Sequence, residues 1–116
     1  MIRLNVGAVV WIAQFNYAGR PDGKTAPGVV LSSHRYHEER RDAIVARITS
    51  KMHHAPGFGA VVIRDWAASG LDKPSVIKPF LMTVEQAQIV RVAGQLDAAT
   101  VAELKRAFKA VFPFAT

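Results

Sequence analysis

The chain has no cysteine, which excludes disulfides, thiolate catalysis and cysteine-ligated zinc from the start. Long apolar runs are also missing. The stretch that follows Met1-Ile2-Arg3-Leu4-Asn5 is broken by Gln14 and Asn16, short of the ~18 residues that crossing a bilayer requires. That N-terminus has no secretory cleavage pattern, so the expectation is a cytoplasmic protein. There is no block of like charge to act as a binding tail, no heptad, no internal repeat and no low-complexity tract. Gly57-Phe58-Gly59 lacks the Lys-Ser/Thr of a phosphate loop and reads as a turn rather than a nucleotide site.

What is present points to a folded protein. Half of the 116 residues are hydrophobic and 21% are charged, enough apolar material for one core and far from a disordered composition. The expectation is a single domain over residues 1–116. Fifteen Lys and Arg against nine Asp and Glu leave a charge of +6, and residues 1–60, with eight basic and four acidic side chains, carry +4 of it. A surplus of this sign attracts polyanions, of which nucleic acid is the commonest in the cytosol.

Residues 8–15 (Ala-Val-Val-Trp-Ile-Ala-Gln-Phe) are β-branched and aromatic enough for a strand. Residues 16–27, with Gly19, Pro21, Asp22, Gly23 and Pro27, predict a long loop. Further strands are predicted over 28–32, 42–48, 59–63 and 89–96, with short extended pieces at 75–78 and 80–82 beside Pro74 and Pro79. Residues 33–41 predict a solvated loop or one helical turn, and 65–70 a helical turn stopped by Gly70. Asp97 is placed to cap a helix whose Val101, Leu104, Phe108 and Val111 recur at helical spacing until Pro113 ends it. That helix either covers an open side of a sheet or offers part of its apolar face to another subunit. Many short strands with Gly/Pro turns and one terminal helix predict a mainly β protein with helices, a small barrel.

His34 with His37, and His53 with His54, lack the further ligands of a metal site and read as surface histidines. Glu38, Glu39 and Asp42 alternate with Arg35, Arg40 and Arg41, the pattern of a solvated face of mixed charge rather than of paired catalytic acids. Thr49 and Ser50 close an apolar strand just before Lys51, where a hydroxyl beside a basic loop can contact a phosphate. No metal or other cofactor is expected.

The order of segments resembles the MazF/PemK toxin family. Three stretches carry the resemblance: Val6-Gly7 leading into Val9-Val10-Trp11-Ile12 and on to Pro27-Gly28-Val29-Val30-Leu31-Ser32; residues 42–50, Asp-Ala-Ile-Val-Ala-Arg-Ile-Thr-Ser; and Asp65-Trp66 through Lys73-Pro74-Ser75-Val76 and Lys78-Pro79 to Gly94-Gln95-Leu96-Asp97. The resemblance implies an SH3-like barrel with helices, a homodimer, and a metal-independent endoribonuclease that cuts single-stranded RNA at short sequences. It also implies a neutralising antitoxin whose extended segment occupies the RNA groove. Two positions carry the family's chemistry. Thr49 matches one. The other, an Arg directly before the Pro of the second strand, is Ala26 here, and the family's acidic residue after the first Gly is Ala8.

Cleavage without metal needs a cation on the phosphate oxygens as the 2′-oxygen attacks. An Arg fork supplies it and an Ala does not. Three readings of Ala26 stay open: an introduced inactivating change, a relative that binds RNA or antitoxin without cutting, or a neighbouring cation, Lys24 or Arg20, in the missing role. On the resemblance, Arg20, Lys24, Thr25, Ser50 and Lys51 hold the RNA, with Tyr17 as a surface on which bases stack. A gyrase poison resembling CcdB is a further reading. It would place the key contacts on the last helix, which ends Val111-Phe112-Pro113-Phe114-Ala115-Thr116 without a polar anchor.

Overall fold

The computed structural model describes residues 3–15, 21–51 and 57–115. Six strands, β1 (Ala8–Phe15), β2 (Pro21–Val30), β3 (Asp42–Thr49), β4 (Val61–Ile63), β5 (Ser75–Glu85) and β6 (Ile89–Gln95), alternate with two helices, α1 (His34–Glu39) and α2 (Ala98–Val111). The strands form one antiparallel sheet in the order β4-β5-β3-β2-β1-β6, curled into a half-barrel, so the expected mainly β class with helices is what the chain adopts.

The apolar side chains of the central strands point alternately to two cores. Val9, Val29, Ala46, Ile48, Ile63, Ile77 and Leu104 fill one, and Leu4, Val10, Ile12, Val30, Val45, Val84 and Ile89 fill the other. Burial on both faces explains why β1 is a continuous apolar run in place of an alternating one.

Two stretches differ from their sequence prediction. The long loop predicted up to Pro27 is strand from Pro21, because β1 extends far enough to pair with it. The turn formers fit as a local irregularity: the register shifts between Ala13 and Phe15, Gly23 takes φ +79°, and the Lys24 N–H donates to Asp22 Oδ1 at 2.8 Å. Likewise, the two pieces around Pro79 are one strand, β5. Its pairing with β3 steps from Ile48↔Ile77 to Ala46↔Leu81, so residues 78–80 bulge opposite Arg47 and Pro79 needs no ladder hydrogen bond there.

The histidine prediction is corrected at His37, which is buried. Its Nδ1 meets the Leu4 carbonyl at 3.0 Å and its Nε2 meets Ser32 Oγ at 2.6 Å. A carbonyl only accepts, so Nδ1 carries a proton, while Nε2 shares a hydrogen bond with the Ser32 hydroxyl. Ser32 Oγ in turn accepts the Ile44 N–H at 2.9 Å. His37 thus ties the N-terminal segment and α1 to β3. His34 is half-buried and pairs with Glu38 at 3.4 Å; His53 and His54 lie outside the described residues. The predicted mixed-charge face is present, with Arg35–Glu39 at 3.6 Å and Arg40–Asp42 at 3.4 Å. There the Tyr36 hydroxyl, and then Arg40, hold the Asp42 carboxyl below its ordinary pKa.

α2 begins as predicted, with Asp97 Oδ1 accepting the Thr100 N–H at 3.2 Å. Leu104 is buried in the first core, so the helix covers an open side of the sheet. Phe108, Phe112 and Phe114 border an open apolar groove with Leu81. Among the described residues no helix is long and apolar enough to cross a membrane.

Candidate functional site

The site begins with a missing hydrogen-bond donor. Val30 O accepts from Gly7 N–H on the β1 side at 2.8 Å, while Leu31 N–H donates to Ile44 O of β3 at 2.9 Å. Alternation along β2 therefore turns the nitrogen of Pro27 towards β3, where it has no hydrogen to give. The β2–β3 ladder spans only Gly28↔Arg47, Val29↔Ala46 and Val30↔Val45. Below Pro27 the strands are not paired, and a groove of about 340 Å³ lies between residues 25–27 and 47–51. The same register, carried past the last bonded pair, sets Ala26 across from Thr49.

The groove brings together Thr25, Ala26, Thr49, Ser50 and Lys51, the residues taken from both sides of the seam. It does not include Lys24, which is exposed on β2 away from the lining. Arg20 and Tyr17 lie outside the described residues. Thr49 is half-buried, and its Oγ1 accepts the Lys51 N–H at 3.1 Å. That bond fixes the hydroxyl at the strand end and leaves its proton to donate into the groove.

The lining residues that were not singled out for the site from sequence include Trp11, Arg47, Asp72 and Lys73. Arg47 is exposed and has no ion-pair partner among the described residues. With Lys51 and Lys73 it gives the groove three cations against the single carboxylate of Asp72. An excess of positive charge in a concave site concentrates anions there. Trp11, cross-strand from Pro27, carries Arg91 over its ring at 5.7 Å, and its indole N–H is buried with no partner in the protein. A signal for Arg47 did exist. It stands two residues before Thr49 on a strand, so both project to the same face. Among the described residues no group of three or more His, Asp or Glu is placed to hold a metal ion.

This arrangement is a half-buried hydroxyl and several cations along an open strand seam. The sequence model of the PemK-like, MazF-like toxins of type II toxin–antitoxin systems matches residues 6–112. The chain belongs to that family. As a family member it also shares its fold with solved structures. A Mycobacterium tuberculosis toxin, MazF-mt6, aligns with 24% identity and a TM-score of 0.70 over 90% of this chain and 95% of that one. A MazE–MazF structure from Deinococcus radiodurans aligns with 15% identity and a TM-score of 0.76 over 97% and 98%. An endoribonuclease in complex with its cognate antitoxin, from a mycobacterial species, aligns with 16% identity and a TM-score of 0.72 over 97% and 96%. A comparison with curated protein sequences returns no match.

Proposed function

We propose that this toxin-family chain is an endoribonuclease that cleaves single-stranded RNA through the ribose 2′-hydroxyl, without a metal ion. One observation carries the reading: the Thr49 hydroxyl stands at the end of β3, in a cationic groove opened by the Pro27 break in the β2–β3 ladder. Thr49 donates to a non-bridging oxygen of the scissile phosphate. Ser50 and Lys51 hold the adjoining backbone, and Thr25 contacts it from the opposite wall. O2′ bonds to phosphorus as the P–O5′ bond breaks. Water in the open groove takes the O2′ proton and returns one to O5′, leaving a 2′,3′-cyclic phosphate and a 5′-hydroxyl end. A base exposed along the strand meets the Trp11 ring, since aromatic faces accept any base.

The rest of the reading follows the family and its solved members. The chain is one cytoplasmic domain that forms a homodimer, and a cognate antitoxin neutralises it by laying an extended segment along the same groove. Family members solved with an antitoxin support that partner. Ala26 favours a second reading, in which the groove binds RNA or antitoxin and does not cut.

The test incubates a random-sequence single-stranded RNA pool in EDTA with the native chain, Ala26→Arg and Thr49→Val, and labels new 5′-hydroxyl ends. Ends made by the native chain or by Ala26→Arg, and lost in the Thr49→Val counterpart, are expected. No ends from either protein, with circular dichroism showing both folded, would overturn the proposal in favour of the binding-only reading.

A further inference from the structure

We infer that Arg47 supplies the phosphate-binding guanidinium that position 26 lacks, so that the hydroxyl and the guanidinium of the site both come from β3. The inference rests on the endoribonuclease reading above and adds the residue that stabilises charge.

Four observations converge on Arg47. First, alternation along β3 sends Ala46 and Ile48 into one core and Ala43 and Val45 into the other. Arg47 and Thr49 therefore project to the same face, one period apart. Second, Arg47 pairs across the ladder with Gly28, two residues from Ala26 on that same face of β2. Ala26 is its diagonal neighbour, and diagonal positions stand only about 7–8 Å apart, within reach of a long side chain. Arg47 and Ala26 line the groove together, and they line the adjoining hollow beside Ile12 and Met82 together as well. Third, on its other side Arg47 faces the bulge at residues 78–80, where β5 carries three residues against one of β3. Bulges next to sites re-aim the side chain they oppose. Fourth, Arg47 is exposed and makes no ion pair among the described residues, so its fork is not occupied by a carboxylate.

Ala26 and Arg47 then explain each other. A methyl at position 26 leaves open the space that a diagonal guanidinium needs, and two guanidinium groups there would repel. During attack by O2′, negative charge grows on the non-bridging oxygens while the P–O5′ bond breaks. The Arg47 fork donates two parallel bonds to those oxygens, and Thr49 donates one. Lys24, one of the two neighbouring cations weighed from sequence, is outside the lining and offers a point charge without a fork.

The experiment measures single-turnover cleavage of the RNA pool in EDTA, alongside binding of a 2′-O-methylated copy of the pool that no 2′-attack can cut. The proteins are the native chain, Arg47→Ala, Arg47→Lys, Ala26→Arg and the double variant Ala26→Arg/Arg47→Ala. Arg47 is exposed, and circular dichroism checks that each variant folds. The expected result is cleavage by the native chain, a fall of about 10²–10³ in rate for Arg47→Ala with a much smaller loss of binding, and an intermediate rate for Arg47→Lys. The double variant is expected to regain rate over Arg47→Ala, because the fork returns from β2. Native cleavage that Arg47→Ala leaves unchanged would overturn the role of Arg47 and keep the endoribonuclease reading. So would cleavage by Ala26→Arg when the native chain is inert, since Arg47 would then fail to substitute. If none of the five proteins cuts, the endoribonuclease reading falls, and this inference falls with it.

Discussion

Salt dependence of RNA binding counts the cations that touch phosphate, and the groove fixes that count in advance. Arg47, Lys51 and Lys73 line it. Each phosphate neutralised on a single strand contributes about −0.7 to the slope of log affinity against log salt concentration. Three contacts give a slope of about −2, so raising salt fourfold weakens binding roughly twentyfold. Replacing any one of the three by Ala brings the slope to about −1.4 and the loss to roughly sevenfold. Lys105, which lines the apolar groove and not the cationic one, is the control whose removal leaves the slope unaltered. The assay is fluorescence anisotropy of a labelled, 2′-O-methylated RNA pool across a salt series. A native slope near zero, or an Arg47→Ala slope equal to the native one, would refute the placement of the phosphates in this groove. An equal fall for Lys105→Ala would spread the RNA over the whole basic surface instead.

Three other outcomes are expected. Leu104→Ala, which removes the α2 side chain buried in the first core, costs about 2.5–4 kcal/mol and lowers Tm by about 10–15 °C in calorimetry; a shift of only a degree or two would mean that α2 does not close the sheet. Asp72→Asn removes the one carboxylate of the groove and tightens binding of the uncuttable RNA about two- to fivefold with cleavage retained; loss of cleavage would instead make Asp72 the group that accepts the 2′ proton. Tyr36→Phe removes the hydroxyl that, ahead of Arg40, lowers the Asp42 pKa. A lowered carboxyl pKa contributes stability that is present above the unfolded value and lost as pH falls through the folded one. The Tm gap between native and variant is therefore widest above the ordinary carboxylate range and closes as pH falls through the lowered value of the folded carboxyl; a gap that widens in acid contradicts this role of the hydroxyl.

Much of the fold was legible in local pattern. β1, β3, β6 and α2 stand where apolar composition, the Asp97 cap and Pro113 put them, because each is defined by its own residues. Positions 21–27 and 75–85 were misread for a shared reason. Gly and Pro mark turns when judged alone, yet a long partner strand tolerated Gly23 within an irregular pairing and Pro79 within a bulge. Tertiary pairing overrode local preference in both places. His37 escaped because its partners, Leu4 and Ser32, are distant or on another element, and no spacing rule joins them.

The candidate site was legible by halves. Thr49 to Lys51 and Thr25 to Ala26 line one groove across the seam. Arg47 and Lys73 were passed over, although both stand inside the stretches that carry the resemblance. Arg47 gains significance only once the Gly28↔Arg47 register is known, since its closeness to Ala26 is a cross-strand relation. Asp72 and Lys73 arrive from the segment before β5, at a distance that periodicity does not measure.

The measurement that bears most directly on the central claim is the chemistry of the cut, made on an RNA that the native chain cleaves and on the same strand carrying a single 2′-deoxy sugar at the cleaved position. The predicted result, in EDTA, is a 2′,3′-cyclic phosphate and a 5′-hydroxyl from the RNA, and an intact strand when that one oxygen is gone. Cleavage of the 2′-deoxy strand, or ends bearing a 5′-phosphate, would contradict attack by the 2′-oxygen at Thr49 and Arg47.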